Sequence, residues 1–176
     1  KGFPGWHIEC TAMAFATLGK QIDIHTGGID LIPTHHNGEI AQAEAATGRS
    51  PYVRYWIHNE FITIDATKIS KSLGNGITLR QLGDRGYSPL AYRYWLLTGH
   101  YRSPMNFTFE AQGGAKQALF RLRRFVVEEC SKEPGGTCEA GVVIEPYRAR
   151  FHEAINDDLD TPRAIALIWE LLKDTA

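Results

Sequence analysis

The chain lacks most of the features that mark whole classes of protein. Its three cysteines, Cys10, Cys130 and Cys138, make an odd count without framework spacing. That excludes a disulfide scaffold, suits a reducing compartment and leaves at least one thiol for other work. No apolar run approaches the roughly 20 residues of a membrane span. The opening "KGFPGW" has neither an initiating Met nor the apolar stretch of a secretion signal, so a cytoplasmic location and a piece of a longer chain are expected. Charge of either sign is not in excess: 19 basic residues against 20 acidic ones leave a net −1. No global basic field therefore draws nucleic acid, although local clusters remain open. Internal repeats and low-complexity tracts are absent. What remains is an ordinary globular composition, in 176 residues that suffice for one core or one and a half small domains.

Hydrophobic periodicity divides the chain into two textures. A helix is expected over 7–18, with Ile8, Ala12, Phe15 and Ala16 on one face. Residues 21–25 are β-like, and the glycines of "HTGGID" are expected to break that strand. Helical pattern resumes over 35–46 and stops at Gly48. Residues 52–58 and 61–64 read as strands. Ser88-Pro89 is a strong helix start for "LAYRYWLLTG". Strands alternating with helices argue for an α/β fold with a parallel sheet. Beyond about residue 110 the pattern becomes helical. A basic amphipathic helix is expected over 115–130, a Gly-rich linker over 133–141, and helices over 146–155 and 162–172, the last capped by Thr161. The expected divisions are 1–110, 111–144 and 145–176.

Two constellations carry possible chemistry. The first is "TKISKSLGNG", two lysines three apart on a Ser/Gly-rich loop after a strand. It reads either as a solvated turn or as a mobile clamp that closes ammonium groups and backbone N–H donors on a polyphosphate. The second is Cys10 with His35, His36 and Glu39. On a helix His35 and Glu39 share a face, and with a distant thiolate they can bind zinc. The plainer alternative is a small buried thiol and a satisfied core histidine. Trp6, one helical turn before Cys10, could wall the same pocket. His7 and His25 lie near glycines and aromatics, and Asp30 is either a turn residue or an anion awaiting an amine.

The segments "GWHIEC", "DIHTGGIDL", "HHNGEIAQAEAATG", "YWIHN", "KISKSLGN" and "HYRSPMNF" occur in the order found in cysteinyl-tRNA synthetases, which the chain resembles over nearly its whole length. "KISKS" resembles the KMSKS signature of the class I enzymes, with Ile69 where Met is usual, a swap of similar volume. Thr26 and Asn37-Gly38 are further departures and leave the candidate ligands in place. The resemblance implies the second half of a Rossmann-like catalytic domain, then a helical connection, then the start of a helical-bundle anticodon-binding domain. It implies Zn²⁺ held by Cys10, His35 and Glu39 with a further cysteine that neither Cys130 nor Cys138 supplies. It implies ATP, with Mg²⁺, as a substrate, and L-cysteine and tRNA(Cys) as partners of a monomeric full-length enzyme.

By the same resemblance Lys68 and Lys71 act on the triphosphate. Ile69, Ser70 and Ser72 shape that loop, and Gly27 and Gly28 let backbone approach the adenosine. Trp6, Asp30, His7 and His25 line the cysteine pocket, Asp30 pairing with the ammonium. The implied reaction is attack of cysteine on the α-phosphate, then transfer to the terminal ribose of tRNA. The 176 residues alone are expected to be inactive. Two rivals stand beside this reading: a cysteine ligase of the mycothiol-synthesis type, and a non-catalytic metal- or RNA-binding paralogue.

Overall fold

The computed structural model describes residues 5–70, 72–130 and 140–174. Lys71, Cys138 and most of the expected linker fall outside them. The chain forms two compact units that divide between Phe61 and Ile62.

In the first unit, helix α1 (His7–Thr17) leads to strand β1 (Ile22–Gly28), helix α2 (Asn37–Thr47) and strand β2 (Val53–Asn59). β1 and β2 pair in parallel, from Ile22 opposite Val53 to Gly28 opposite Asn59. The two helices pack together. The core is Ile22, Ala43, Tyr52 and Val53, with Ala14, Phe15 and Trp56 against it. Gly48, at φ +66, ends α2 in the left-handed conformation, as its position just past the helical pattern implies.

Two expectations are corrected here. The glycines of "HTGGID" do not break β1, which runs through Gly28 because both glycines pair with β2. The α-helix starts at Asn37 rather than His35. A π-helical turn over Ile32–His36 precedes it and carries both buried histidines. Such turns are uncommon and concentrate at functional positions.

The second unit contains β3 (Ile62–Ile64), β4 (Thr67–Lys68), α3 (Leu79–Asp84), α4 (Pro89–Leu97), β5 (Met105–Phe107), α5 (Phe109–Cys130), α6 (Ala140–Asn156) and α7 (Thr161–Asp174). β3 is central, antiparallel to β4 and parallel to β5. The β3–β4 turn is Asp65-Ala66, both at positive φ, the arrangement of a tight hairpin. Leu82, Trp95, Phe107 and Ala115 form the core beneath it. Ser88 caps α4 through the Ala91 N–H, with Pro89 next, as expected.

α6 and α7 share a core of Ala154, Ala164 and Leu167. α6 starts before Pro146, which lies inside it. The cap of α7 is Asp160, whose carboxylate accepts the Arg163 N–H, not Thr161. In the turn between them Asp158 accepts from the Tyr101 hydroxyl at 2.6 Å and from Arg102 Nε at 2.5 Å. The indole of Trp169 donates to Tyr94 and ties α7 to α4. No helix among the described residues is long and apolar enough to cross a membrane.

Candidate active site

The side chains that matter in the first unit come from five places. Trp6, His7 and Cys10 lie at the start of α1, His25 on β1, His35 and His36 on the π-helical turn, and Glu39 on the first turn of α2. Trp56 and His58 join them from β2. They are two apart on a strand and so face the same side.

Glu39 is the centre. It is 0% exposed, and a carboxylate so deep needs partners. Oε2 lies 2.8 Å from His25 Nε2, and Oε1 lies 2.7 Å from His35 Nε2. His35 in turn shares a 2.7 Å contact between its Nδ1 and that of His7. The ring of Trp6 stacks on His35 with centroids 3.5 Å apart and planes 11° apart. His36 Nδ1 is 2.8 Å from His58 Nε2, so one ring donates and the other accepts. The result is a connected set of five histidines around one buried acid.

Burial governs the charge states. It lowers the pKa of His35, against the pull of Glu39. It pushes His36 down to about 4, helped by His25, His58 and His35. The Cys10 thiol is raised by burial and by Glu39 and Glu9. The phenol of Tyr52 is pushed up to about 12, first by burial and then by Glu39. Neutral imidazoles beside a buried carboxylate are the donors a metal requires.

The fit to a metal rests on one atom. Glu39 Oε1 is buried and has no hydrogen bond, although His35 Nε2 is 2.7 Å away. The two heteroatoms approach without the angle of a hydrogen bond, a close contact that a shared cation relieves. Cys10, His35 and Glu39 offer ligand atoms within 4.8 Å of one another, and their S, N and O set suits zinc. His25, His36 and Glu39 form a second such group.

Gly27 lies against this cluster. A Cβ added there would sit 2.6 Å from His36 Cε1 and 2.8 Å from Leu31 Cδ1. At Gly28 it would meet the Asp30 carboxylate at 2.5 Å. Asp30 is itself exposed.

The residues read as a loop clamp lie in the second unit. Lys68 ends β4 and is exposed; Ile69 is 42% exposed and Ser72 is exposed. Ser70 Oγ is 3.1 Å from Ser72 Oγ and accepts the Leu73 N–H. Sequence reasoning missed Trp56 and His58, for which the alternation of "YWIHN" was the available signal. It also passed over Asn75, whose side chain accepts the Ser70 N–H and donates to the Lys68 carbonyl.

A family model described as the class I (C) tRNA synthetase catalytic domain matches residues 1–117. The chain is similar to "Cysteine--tRNA ligase 1" of Burkholderia lata, at 47% identity over 98% of this chain and 35% of that protein. "Cysteine--tRNA ligase" of Trichodesmium erythraeum is 43% identical over 99% of this chain and 37% of that protein. The chain thus spans about a third of the length of the curated relatives it matches. Among solved structures it is similar in fold to a LeuRS from Agrobacterium radiobacter, solved as a ternary complex with tRNA and LeuAMS. The TM-score is 0.67 at 17% identity, covering 86% of this chain and 22% of that one. It is also similar to Mycobacterium tuberculosis methionyl-tRNA synthetase with methionyl-adenylate, with TM-score 0.60 at 20% identity over 86% of this chain and 32% of that one.

Proposed function

The chain belongs to the family of class I (C) tRNA synthetase catalytic domains, and from that premise we propose that it is part of a cysteine–tRNA ligase. The full-length enzyme activates L-cysteine with ATP and Mg²⁺ to cysteinyl-adenylate, releases pyrophosphate, and transfers the aminoacyl group to tRNA(Cys). We propose a monomer that works in the cytoplasm. The observation that carries the reading is the cluster of half-buried Cys10 with buried His35 and Glu39 beside Trp6, with Glu39 Oε1, buried and without a hydrogen bond, at its centre.

In this reading Cys10, His35 and Glu39 hold zinc, together with a ligand from elsewhere. Bound there, zinc supplies a soft electrophile that favours a thiolate over a serine hydroxyl. The remaining roles belong to the chain itself. Trp6 covers the cluster and keeps bulk water from it. His7 orients His35 through their Nδ1 contact. His25 steadies the second oxygen of Glu39. Asp30, exposed beside Gly28, is free to meet the substrate ammonium. Gly27 and Gly28 give the adenosine a backbone surface to approach.

Adenylate formation needs positioning and charge neutralisation more than a general base. Lys68 and Lys71 bring two cations to the triphosphate. Ile69, Ser70 and Ser72 shape the loop around it. Lys71 lies outside the described residues and is assigned on sequence alone.

The test is cysteine-dependent ATP–pyrophosphate exchange and charging of tRNA(Cys) by the full-length protein. The expected result is exchange with L-cysteine at least about 10⁴-fold better than with serine, the discrimination open to a site built around one specific polar contact. Exchange with neither, in metal-loaded protein, overturns the proposal.

A further inference from the structure

Asn75 lies just past the KISKS stretch and has no role in the reading above. Its side chain nevertheless holds both sides of Ile69. Oδ1 accepts the Ser70 backbone N–H at 2.9 Å. Nδ2 donates to the Lys68 carbonyl at 3.0 Å. One amide therefore ties Asn75 back to the two residues that flank Ile69. Gly74, at φ +60, supplies the left-handed turn that precedes it.

An apolar cavity lies beside this clamp. Ile69, between the two clamped residues, lines a small cavity of ≈ 60 Å³ with Ile62, Ile77, Leu82 and Phe107. The peptide that bears Lys68 is thus held by a polar clamp, and the half-exposed Ile69 beside it borders the apolar cavity. The hairpin that delivers it is also fixed, because Asn106 Oδ1 accepts from the Ala66 N–H at 2.7 Å. A Ser/Gly-rich loop with two lysines would otherwise sample many conformations, and its ordering would fall on the moment the polyanion arrives.

We propose that Asn75 is a positioning residue for the phosphate-binding loop. It presets the curl of Lys68–Ser70 so that Lys68 and the backbone donors beside it are held ready for an anion, and it does not itself touch the phosphates. This rests on the reading that the loop meets ATP.

The test uses the full-length protein with Asn75→Ala and with the isostere Asn75→Asp, which keeps the acceptor for Ser70 and loses the donor to Lys68. In pyrophosphate exchange the alanine variant should lose roughly 10- to 100-fold in kcat/KM for ATP, the scale of a slight misplacement, with KM for cysteine and bound zinc unchanged. Trypsin reads the loop directly, since it cuts after Lys68 and Lys71. Without ATP the alanine variant should be cut faster than wild type, with the aspartate variant between the two. Equal cutting of all three proteins, or an alanine variant with wild-type kcat/KM for ATP, overturns the assignment. If wild type shows no exchange at all, the functional reading fails while the trypsin comparison still decides the role of Asn75.

Discussion

Gly27→Ala isolates the packing of the buried histidines from their chemistry. The new methyl would lie 2.6 Å from His36 Cε1 and 3.0 Å from its Nε2, where ordinary contacts need about 3.5–4.0 Å. The ring must therefore shift by about 1 Å. It has little room, since His36 is 3% exposed and is held by His58 at 2.8 Å. Overpacking of this kind costs about 1–3 kcal/mol, and losing the His36–His58 bond adds about 1 kcal/mol. The sum is about 2–4 kcal/mol. Hydrogen exchange on the full-length protein reads it locally, as lost protection in β1 and in the segment leading to α2. Gly114→Ala is the control. Nothing lies within 4 Å of a Cβ added there, so the helix should gain about 0.8–1 kcal/mol. If Gly27→Ala protects its segment as wild type does, the close approach of His36 to β1 is wrong.

Cys10→Ala should lower the zinc held by the full-length protein well below one equivalent by metal analysis; stoichiometric zinc would remove Cys10 from the ligand set. Lys71→Ala should slow pyrophosphate exchange by roughly 30- to 1,000-fold, the effect of losing a donor used mainly in the transition state (about 2–4 kcal/mol), with little change in cysteine affinity. An unchanged rate would refute the clamp. Asp158 is held at about 2 by Arg102 and Tyr101 against an ordinary 3.8. A depressed carboxylate stabilises the fold above its unfolded pKa and loses that contribution as pH falls through the folded one. Melting of the second unit should therefore lose an increment between about pH 4 and pH 2, and Asp158→Asn should flatten that part of the profile. The same slope in both proteins would rule the ion pair out as its source.

The sequence by itself determined whatever depends on neighbours along the chain. Ser88-Pro89 starts α4 and Gly48 ends α2 because caps and left-handed turns are decided within a few residues. The order of six short segments likewise carried the family, since side-chain identity needs no coordinates. Local signals failed where a distant partner decided. Gly27 and Gly28 continue a strand because β2 pairs with them from some thirty residues away. Neither the burial of Glu39 nor its contact with His25 is visible in spacing, because both arise when β1 and α2 are folded together. His58 entered the cluster only through the parallel register that sets β2 beside β1. Asn75 reads as an ordinary loop residue until the turn at Gly74 swings its amide back onto Lys68 and Ser70. Tertiary structure chose these contacts because their free energy belongs to groups that meet only when the chain has closed on itself.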